Sequence, residues 1–391
     1  MFMPRLATVG QMLENKTIEN AKIALVHDYL IDNGGAERVV EIFQQLFPQA
    51  PLYTSVFNPA TTLASFSDPN KDIRTSFLQK LRPTKRRYKL LLPFYPYAFE
   101  SFDLTAYDLV LSSTTGFAKG VITGENCCHF CFIHTPARFA WRYPDYVAQE
   151  DFGAVKKLVL GAILPFLRSW DYTAAQRVDY FIANSHTTRR RVEKFYRREA
   201  HVIHSPIDAS LFEPSNMQAD YFLVVSRLAP YKRIDLAVQA AARLNKPLKI
   251  VGTGSDEARL RKIAGPRTEF LGRVSDAELR SLYSHCQALI FPGEEDFGLT
   301  PLEAMASGRP VIAYRAGGAL ETVIEGQTGL FFDSQEPESL AQVMRDFDPY
   351  KFHTNELREW AEEFDKTRFE RKLLDFMAAK YSEFQVKLAV F

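Results

Sequence analysis

The stretch FPGEEDFGLTPLE, Phe291 to Glu303, joins a predicted strand to a predicted helix through a turn of acidic residues and glycines. The strand covers the apolar run Ala288 to Phe291. The helix is expected to begin near Thr300 as its N-cap, and Pro301 suits its first position. A strand, a short turn and a helix in this order are typical of the repeating unit of a parallel sheet.

The same order of elements recurs along the chain. A strand is predicted at Lys22 to His27, a turn at Gly34 and Gly35, and a helix at Ala36 to Phe47. Further strands of the first half are predicted at Tyr107 to Ser112, Cys127 to His134 and Tyr180 to Asn184. A second cycle is predicted after Pro206, with strands at Tyr221 to Ser226, Leu248 to Val251, Thr268 to Leu271, Ala288 to Phe291 and Pro310 to Tyr314. We therefore predict an α/β fold with two Rossmann-like domains.

The boundary between the domains is predicted at the polar, proline-containing segment Ser205 to Asp220. This gives a first domain over residues 1–205 and a second domain over residues 206–370. The last segment, residues 371–391, belongs to a mostly amphipathic helix that is expected to pack back on the first domain.

The composition is that of an ordinary globular protein. The 391 residues are 46% apolar and 24% charged, with a formal net charge of +1. A chain of this length favours two domains over one. The near-zero net charge argues against a dedicated nucleic-acid-binding protein, because such proteins present a basic field to the phosphates.

Three of the four cysteines are crowded in Cys127 to Cys131, beside His129 and His134. A structural zinc site is one interpretation of this crowding, but we predict buried strand cysteines in a reducing cytoplasm and no metal site. The N-terminus has no apolar run of signal-peptide length, and the apolar stretch Leu158 to Leu167 is too short to span a bilayer. We therefore expect a cytoplasmic protein.

The turn after Phe291 has the residues of an anion site. At a helix N-terminus the backbone N–H groups of Gly298, Leu299 and Thr300 are free to bind an anion. Glu295 and Glu303 place a carboxylate near each end of the turn, and each can accept sugar hydroxyls. This combination suits a nucleotide-sugar. The alternative interpretation is that Glu303 only complements the helix dipole and Glu295 is exposed.

The two glutamates, separated by seven residues and followed by AMASGRPV, resemble the signature of retaining GT-B glycosyltransferases. The runs GGALETV (317–323) and GQTGLF (326–331) continue the pattern of glycosyltransferase family 4. The resemblance implies the GT-B fold, with two Rossmann-like domains facing across a cleft. It also implies transfer of a hexose from a nucleotide-sugar with retention at the anomeric carbon, without a cofactor.

The resemblance assigns roles in the second domain. Arg227 and Lys232 lie in an element that binds the donor diphosphate, and two cations there would make a divalent metal unnecessary. Glu295 would hold the sugar and Glu303 the ribose. Backbone groups at Arg273 and Val274 would read the base. The remaining residues assigned to the donor site are Phe297, Gly298, Leu299 and Thr300.

In the first domain, Gly34 and Gly35 resemble the glycine-rich loop that approaches the donor phosphates. His134, in the run HTPAR, occupies the family's position for an active-site histidine at a strand end. It would contact the transferred sugar or the reacting centre, and a satisfied core histidine is the alternative. Asn184 and Ser185 match a family element near the cleft, which we interpret as structural support.

The runs LVHDYL, GGAERV and HTPARFAW resemble a bacterial branch that builds polysaccharide and O-antigen units, often from GDP-mannose. GDP-mannose is therefore the expected donor, and UDP-glucose or another UDP-hexose is the alternative. A glycan or lipid-diphosphate-linked acceptor is expected. The segment Leu78 to Phe99 carries six basic residues, no acid and many aromatics, which suits an anionic membrane surface. A solvated loop over a buried helix is the alternative interpretation of this segment.

Three other classes fit parts of the pattern. A sugar-nucleotide 2-epimerase of the same fold and a non-catalytic nucleotide-sugar-binding subunit would also bind the donor between two domains. The element Ser226 to Asp235 favours a transferase over the epimerase, and the full set of charged residues argues against a decayed site. A Rossmann dehydrogenase ranks last, because no GxGxxG motif follows the first strand.

Overall fold

The computed structural model describes residues 17–81, 88–142, 154–215, 217 and 219–390. They form two domains, each built on a parallel sheet. The first sheet has seven strands in the order β3-β2-β1-β4-β5-β6-β7. Its strands are β1 (Ile23–His27), β2 (Leu52–Thr54), β3 (Ile73–Thr75), β4 (Leu109–Thr114), β5 (Cys128–Ile133), β6 (Tyr180–Ala183) and β7 (Ala200–Val202).

The second sheet has six strands in the order β10-β9-β8-β11-β12-β13. Its strands are β8 (Phe222–Val225), β9 (Leu248–Val251), β10 (Thr268–Gly272), β11 (Ala288–Phe291), β12 (Val311–Tyr314) and β13 (Gly329–Phe332). Every strand pair within both sheets is parallel. The carboxyl ends of the strands therefore meet at one edge of each sheet, where α/β folds bind ligands.

Helices cover both faces of the sheets, which explains why the central strands β1, β4, β5 and β11 are buried along their whole length. The helices of the first domain are α1 (Gly35–Leu46), α2 (Tyr95–Glu100), α3 (Arg138–Trp141), α4 (Ala154–Gln176) and α5 (His186–Tyr196). The later helices are α6 (Ile234–Leu244), α7 (Glu257–Ile263), α8 (Asp276–His285), α9 (Thr300–Ala306), α10 (Ala319–Thr322), α11 (Pro337–Asp346), α12 (Thr354–Glu362) and α13 (Lys366–Val390).

The last helix, α13, returns to the first domain. Its residues Phe369, Leu373 and Met377 are buried in the core cluster that contains Phe43 and Phe132. The helix begins at Lys366, before the predicted boundary at residue 371, because the chain turns at Phe364 and Asp365. That turn is tied to the interdomain linker, since Ile207 N–H donates to the Phe364 carbonyl oxygen at 3.0 Å.

The predicted fold class is confirmed: an α/β protein of the GT-B type, with two Rossmann-like domains facing across a cleft. Four strands escaped prediction, Leu52–Thr54, Ile73–Thr75, Ala200–Val202 and Gly329–Phe332. The first three are three residues long, and a run of that length has no measurable period. The fourth lies in the run 326–331, which was interpreted only through the resemblance to the family. The described part of the segment that begins at Lys351 is mostly helical, as the sequence predicts, and consists of the two helices α12 and α13.

The four cysteines are free and buried. Along β5 the side chains alternate, so Cys128 packs in the same cluster as Phe130 whereas Cys131 packs with Ile133 on the other face. The crowded cysteines therefore point to opposite sides of the sheet, a poor arrangement for one metal ion. None of the helices within the described residues is long and apolar enough to cross a bilayer.

Candidate active site

A cleft of about 820 Å³ lies between the two domains, at the carboxyl ends of their strands. Nine of the predicted site residues line it: Gly34, Gly35, His134, Arg227, Lys232, Glu295, Phe297, Gly298 and Leu299. Four others, Arg273, Val274, Thr300 and Glu303, are outside the set of described residues that line it. The structure thus brings most of the predicted residues from both domains around one space.

The glycine turn of the first domain approaches the second domain closely. Gly34 precedes helix α1, and its N–H donates to the Glu37 Oε2 atom at 3.0 Å. A Cβ atom on Gly35 would lie 3.0 Å from the Leu299 Cδ1 atom, across the cleft. This contact is tighter than ordinary van der Waals packing, so a glycine allows the two loops to meet here.

The loop that carries Glu295 is held from several sides. The Gly318 N–H donates to the Glu295 carbonyl oxygen at 2.8 Å. Phe297 is buried and stacks on the His204 ring at 5.3 Å between centroids. Gly298 has a φ of +88°, and a Cβ atom there would lie 2.5 Å from the Phe291 ring, so both conformation and space require glycine. The position of Glu295 is therefore set by its backbone.

The predicted diphosphate-binding cations gather around the Tyr231 ring. Lys232 Nζ lies 5.2 Å from the ring centroid, and the guanidinium carbons of Arg227 and Arg138 lie at 5.6 Å and 5.4 Å. Arg227 also donates to the Tyr231 hydroxyl at 2.6 Å. Burial alone would raise the pKa of Tyr231, but the charges of Lys232 and Arg227 outweigh it and lower this pKa. The cleft is strongly positive at this point, which suits a diphosphate.

Lys232 is already paired with an acid of the cleft. Its Nζ atom forms an ion pair with the Glu295 carboxylate, and both side chains are partly buried. The predicted sugar-binding acid and one of the predicted phosphate-binding cations are therefore direct neighbours. Arg227, by contrast, is exposed.

Glu303 lies where the sequence did not predict it. Helix α9 begins at Thr300, so Leu299 and not Thr300 is the N-cap. The Glu303 side chain is buried and accepts hydrogen bonds from the Tyr283 hydroxyl at 2.7 Å and from Arg38 Nη1 at 3.2 Å. Because Arg38 belongs to the first domain, Glu303 lies at a contact between the two domains. Its role on the ribose stays a prediction, and Arg38 would have to release one of its oxygens.

Three arginines of the first domain, Arg138, Arg142 and Arg191, face two acids that flank Glu295. We call this set the interdomain arginine cluster. Arg191 Nη2 lies 3.0 Å from Glu294 Oε1, and Arg142 Nη1 lies 3.3 Å from the same atom. Arg138 and Arg191 both pair with Asp296, which is buried. Burial, together with the charges of Arg142 and Arg138, lowers the pKa of Arg191 to about 10.

A second contact between the domains involves Glu321 of helix α10. Its carboxylate accepts the N–H groups of His186 at 2.8 Å and Thr187 at 3.1 Å, at the N-terminus of α5, and lies 3.1 Å from His204 Nε2. Burial acts to raise the pKa of Glu321, but these hydrogen bonds lower it overall. Among the described residues, His186, His204 and Glu321 are also the one group of three metal-ligand types close together, within 4.8 Å. Because both Glu321 oxygens already bind the first domain, we interpret the group as an interdomain contact.

His134 is buried at the end of β5, with its ring at the cleft. Its Nε2 atom lies 2.9 Å from Ser113 Oγ, and its ring contacts the edge of Phe132 at 5.1 Å. Burial and the neighbouring His27 lower the pKa of His134 to about 3, so the ring is neutral near pH 7. His134 is thus a buried histidine that also lines the cleft, and its contact with the transferred sugar stays a prediction.

Several residues of the cleft escaped prediction. Tyr231, Glu294 and Asp296 lie beside predicted site residues in the sequence, and their charge or aromatic character was the available signal. Arg138 follows His134 by four positions. Arg191 sits within a run of three arginines on α5, and no pattern in the sequence identifies which of the three faces the cleft. Ser185, assigned as structural support, caps α5 by accepting the Thr188 N–H at 2.9 Å.

Two family models match the chain along the domains described above. "Glycosyltransferase Family 4" matches residues 33–211, and "Glycosyl transferases group 1" matches residues 210–359. The chain carries both domains of a family 4-like GT-B glycosyltransferase. A solved GT-B structure, Anabaena Alr3699/HepE in complex with UDP, aligns with 92% of this chain and 100% of its own, at a TM-score of 0.68 and 19% identity.

Curated relatives match shorter stretches. A GDP-mannose-dependent alpha-mannosyltransferase of Mycolicibacterium smegmatis is 42% identical over 110 residues, which is 28% of this chain and 29% of the relative. The D-rhamnosyltransferase WbpZ of Pseudomonas aeruginosa is 28% identical over 198 residues, 46% of this chain and 50% of the relative. The chain thus spans at most about half the length of these two relatives.

Proposed function

We propose that this GT-B protein transfers a hexose from a nucleotide-sugar to an acceptor hydroxyl, with retention and without a bound metal. The observation that carries the proposal is the juxtaposition of Lys232, Glu295 and Arg227 in the cleft, opposite the glycine turn of the first domain. A nucleotide-sugar offers the matching groups, since its diphosphate needs cations and its sugar hydroxyls need an acceptor.

In the proposed reaction the acceptor oxygen forms a bond to the anomeric carbon while the bond from that carbon to the diphosphate breaks. The acceptor proton passes to the departing diphosphate oxygen on the same face of the sugar. Arg227 and Lys232 stabilise the charge that develops on the diphosphate, which is the role a metal ion would otherwise have. Glu295 holds the sugar hydroxyls, and Glu303 holds the ribose once Arg38 has released it.

The proposed donor is GDP-mannose. The support comes from the sequence runs that resemble a mannosyltransferase branch and from the Mycolicibacterium relative, whose name specifies GDP-mannose. A UDP-hexose is the alternative, because the Anabaena protein was solved with UDP. Groups that bind diphosphate and ribose serve both donors equally, so the base and the sugar must be tested directly.

A thermal-shift screen tests the donor. The panel is GDP-mannose, UDP-glucose, UDP-galactose, UDP-N-acetylglucosamine and NAD, each in EDTA. A ligand that binds only the folded protein raises the midpoint by mass action, and at 100 times its Kd the stabilisation is about 2.7 kcal/mol. We expect GDP-mannose to give the largest shift and Lys232→Ala to reduce it. A shift with NAD alone, or with no nucleotide-sugar, contradicts the proposal.

We further propose a lipid-diphosphate-linked acceptor, reached by peripheral contact with the anionic inner face of the cell membrane. The support is the segment Leu78 to Phe99. Residues 82–87, with four of the six basic residues of the segment, lie outside the described residues. Among the described ones, three large apolar side chains of the segment are exposed, Leu81, Phe94 and Tyr97, and so is Phe77 just before it. Exposed aromatics beside basic residues are typical of membrane-surface segments.

Flotation with anionic liposomes tests this contact. Changing Lys85, Arg86, Arg87 and Lys89 together to serine removes the charge, and each basic residue near the surface contributes about 1 kcal/mol. The matched control changes Arg261, Lys262 and Arg267, which are exposed on the second domain. We expect the first variant to lose binding and the control to keep it. Equal binding of both variants contradicts the membrane contact.

A further inference from the structure

Three polar residues lie at the carboxyl ends of adjacent strands in the first sheet. His27 ends β1 and pairs in register with Ser113 of β4. His134 follows β5, and its N–H donates to the Thr114 carbonyl oxygen at 2.9 Å. All three side chains are buried, and His27 and His134 line the cleft. Their hydrogen bonds therefore affect how the His134 ring is held at the cleft.

The contacts of His27 determine which of its nitrogens carries hydrogen. Its Nδ1 atom lies 3.1 Å from the Ser113 carbonyl oxygen. A carbonyl oxygen only accepts, so Nδ1 must be the donor. The same N–H lies 3.2 Å from Ser113 Oγ, which acts as a second acceptor for it.

The hydroxyl hydrogen of Ser113 is thereby directed to the other histidine. Within the described residues, the two rings are the side-chain partners of Ser113 Oγ, and His134 Nε2 lies 2.9 Å away. Since the hydroxyl already faces an N–H from His27, its hydrogen points to His134 Nε2, which accepts it. A neutral imidazole that accepts at one nitrogen carries its hydrogen on the other.

We propose that Ser113 and His27 are positioning residues that hold His134 as the Nδ1–H tautomer, so that its ring offers an N–H donor to the sugar in the cleft. The catalytic part of this inference rests on the proposed function, whereas the tautomer does not. In this tautomer Nδ1 carries a hydrogen and the lone pair of Nε2 already accepts the Ser113 hydroxyl. The His134 ring therefore has no free lone pair that could take the proton from the acceptor hydroxyl. His134 therefore binds the donor sugar, and the acceptor proton leaves with the diphosphate.

The same chain of contacts reaches the glycine turn. Glu37 Oε1 lies 4.0 Å from His27 Nε2. The other oxygen of Glu37 accepts the Gly34 N–H. The glycine turn therefore lies next to the buried side chains that orient His134.

The neighbouring residue offers a matched control. Ser112, one position earlier on β4, makes the same kind of contact, with its Oγ 2.8 Å from His129 Nε2. Both serines and His129 are fully buried, but His129 is outside the set of described residues that line the cleft. Loss of either hydroxyl leaves a buried imidazole nitrogen without its partner, so the two variants should be destabilised alike.

Long-range ¹⁵N–¹H NMR of the histidine rings tests the tautomer in the ligand-free wild-type protein. The His134 signals are identified as those missing from His134→Gln. We expect the hydrogen on Nδ1 in the wild type. Hydrogen on Nε2 would overturn the proposal. Because the tautomer is measured in the wild-type protein without substrate, the result does not depend on the proposed function or on the folding of a variant.

Steady-state kinetics with the donor from the screen test the positioning role. We expect Ser113→Ala to mix the His134 tautomers and to lower kcat about tenfold with little change in KM, since a lost hydrogen bond of this kind corresponds to roughly that factor. Ser112→Ala should leave kcat within about twofold. Equal effects of the two variants on kcat would overturn the positioning role. Absence of turnover with every donor would instead contradict the proposed function.

Discussion

The two sides of the cleft are built in different ways. On the second domain, Arg227, Lys232 and Glu295 are charged, and Lys232 is paired with Glu295 across the surface that the donor must occupy. On the first domain, His134 and Ser113 are buried and joined by hydrogen bonds that no ligand needs to break. The charged side, on the second domain, must rearrange when a diphosphate arrives. The buried side, on the first domain, is fixed in advance.

The difference shows how each side can contribute to transfer. The pairing of Lys232 with Glu295 avoids the cost of leaving two partly buried ions unpaired, and a diphosphate can exchange for Glu295 as the partner of Lys232. Buried dipoles that are already oriented need no reorganisation during the reaction. In the proposed reaction, the charged side therefore governs donor binding, and the buried side governs how the sugar is held.

Glu295→Gln should have the largest effect. The amide keeps the size of the side chain but loses the charge, so the sugar contact weakens while Lys232 becomes free for the diphosphate. We expect kcat to fall by at least about 100-fold, the loss typical of a group that acts on the transition state. Release of the nucleoside diphosphate from the donor is the readout.

Binding of the nucleoside diphosphate alone to Glu295→Gln should be unchanged or tighter. The matched control is Glu338→Gln, at an exposed acid of the same domain. Turnover of Glu295→Gln within twofold of the wild type would show that this acid does not act on the reacting sugar.

Lys232→Ala should weaken donor binding by about 10- to 100-fold, because a charge-assisted contact to phosphate contributes about 1.5–3 kcal/mol. The salt dependence of donor affinity should also decrease, since one charge is lost. Fluorescence or calorimetric titrations at two salt concentrations measure both effects. An affinity that is equally salt-sensitive in the variant would remove Lys232 from the diphosphate site.

Arg191→Ala should lower kcat about tenfold through the loop that carries Glu295. Arg191 holds both Glu294 and Asp296, and its loss leaves the buried Asp296 with Arg138 as its remaining partner. A double-mutant cycle with Arg191→Ala, Asp296→Asn and the double variant isolates the contribution of the contact between these two residues to kcat. We expect the double variant to be little worse than either single one. Fully additive losses in kcat would mean that the two residues act independently.

Lowering the pH tests the buried histidines of the first domain. The expected loss of unfolding free energy is smaller than the effects of the substitutions above. Burial first, and then the charge of Arg177, lower the pKa of His129 to about 3, as burial does for His134. The unfolded chain takes up these protons near pH 6.5, so between pH 6.5 and 3 it binds more protons than the folded protein, and stability falls as pH falls. Between pH 6 and 5 each ring should account for about 1 kcal/mol of lost unfolding free energy.

Urea unfolding at pH 6 and pH 5 measures this loss. His129→Gln should be less stable at both pH values but should lose about 1 kcal/mol less than the wild type between them. An identical pH dependence of the variant and the wild type would show that His129 is not held neutral in the fold.

The sequence was most informative where residue type and local order decide the structure. The apolar strands and the glycine turns predicted most of both sheets. Glu295 was singled out from the acids and glycines of its turn, and Arg227 and Lys232 from the resemblance to the family; all three line the cleft. The partners of Glu303 could not be predicted, because the direction of a side chain on α9 depends on Tyr283 and Arg38, which are far away in the sequence. The interdomain arginine cluster could not be predicted for the same reason.

Titration calorimetry in EDTA tests the division between the two sides most directly. GDP-mannose and GDP are each titrated into the wild type, Lys232→Ala and His134→Ala. If the charged side binds the diphosphate and His134 binds the sugar, Lys232→Ala weakens both ligands by a similar factor and His134→Ala weakens GDP-mannose alone. Equal weakening of GDP and GDP-mannose by His134→Ala, or no binding of either ligand to the wild type, would contradict the account.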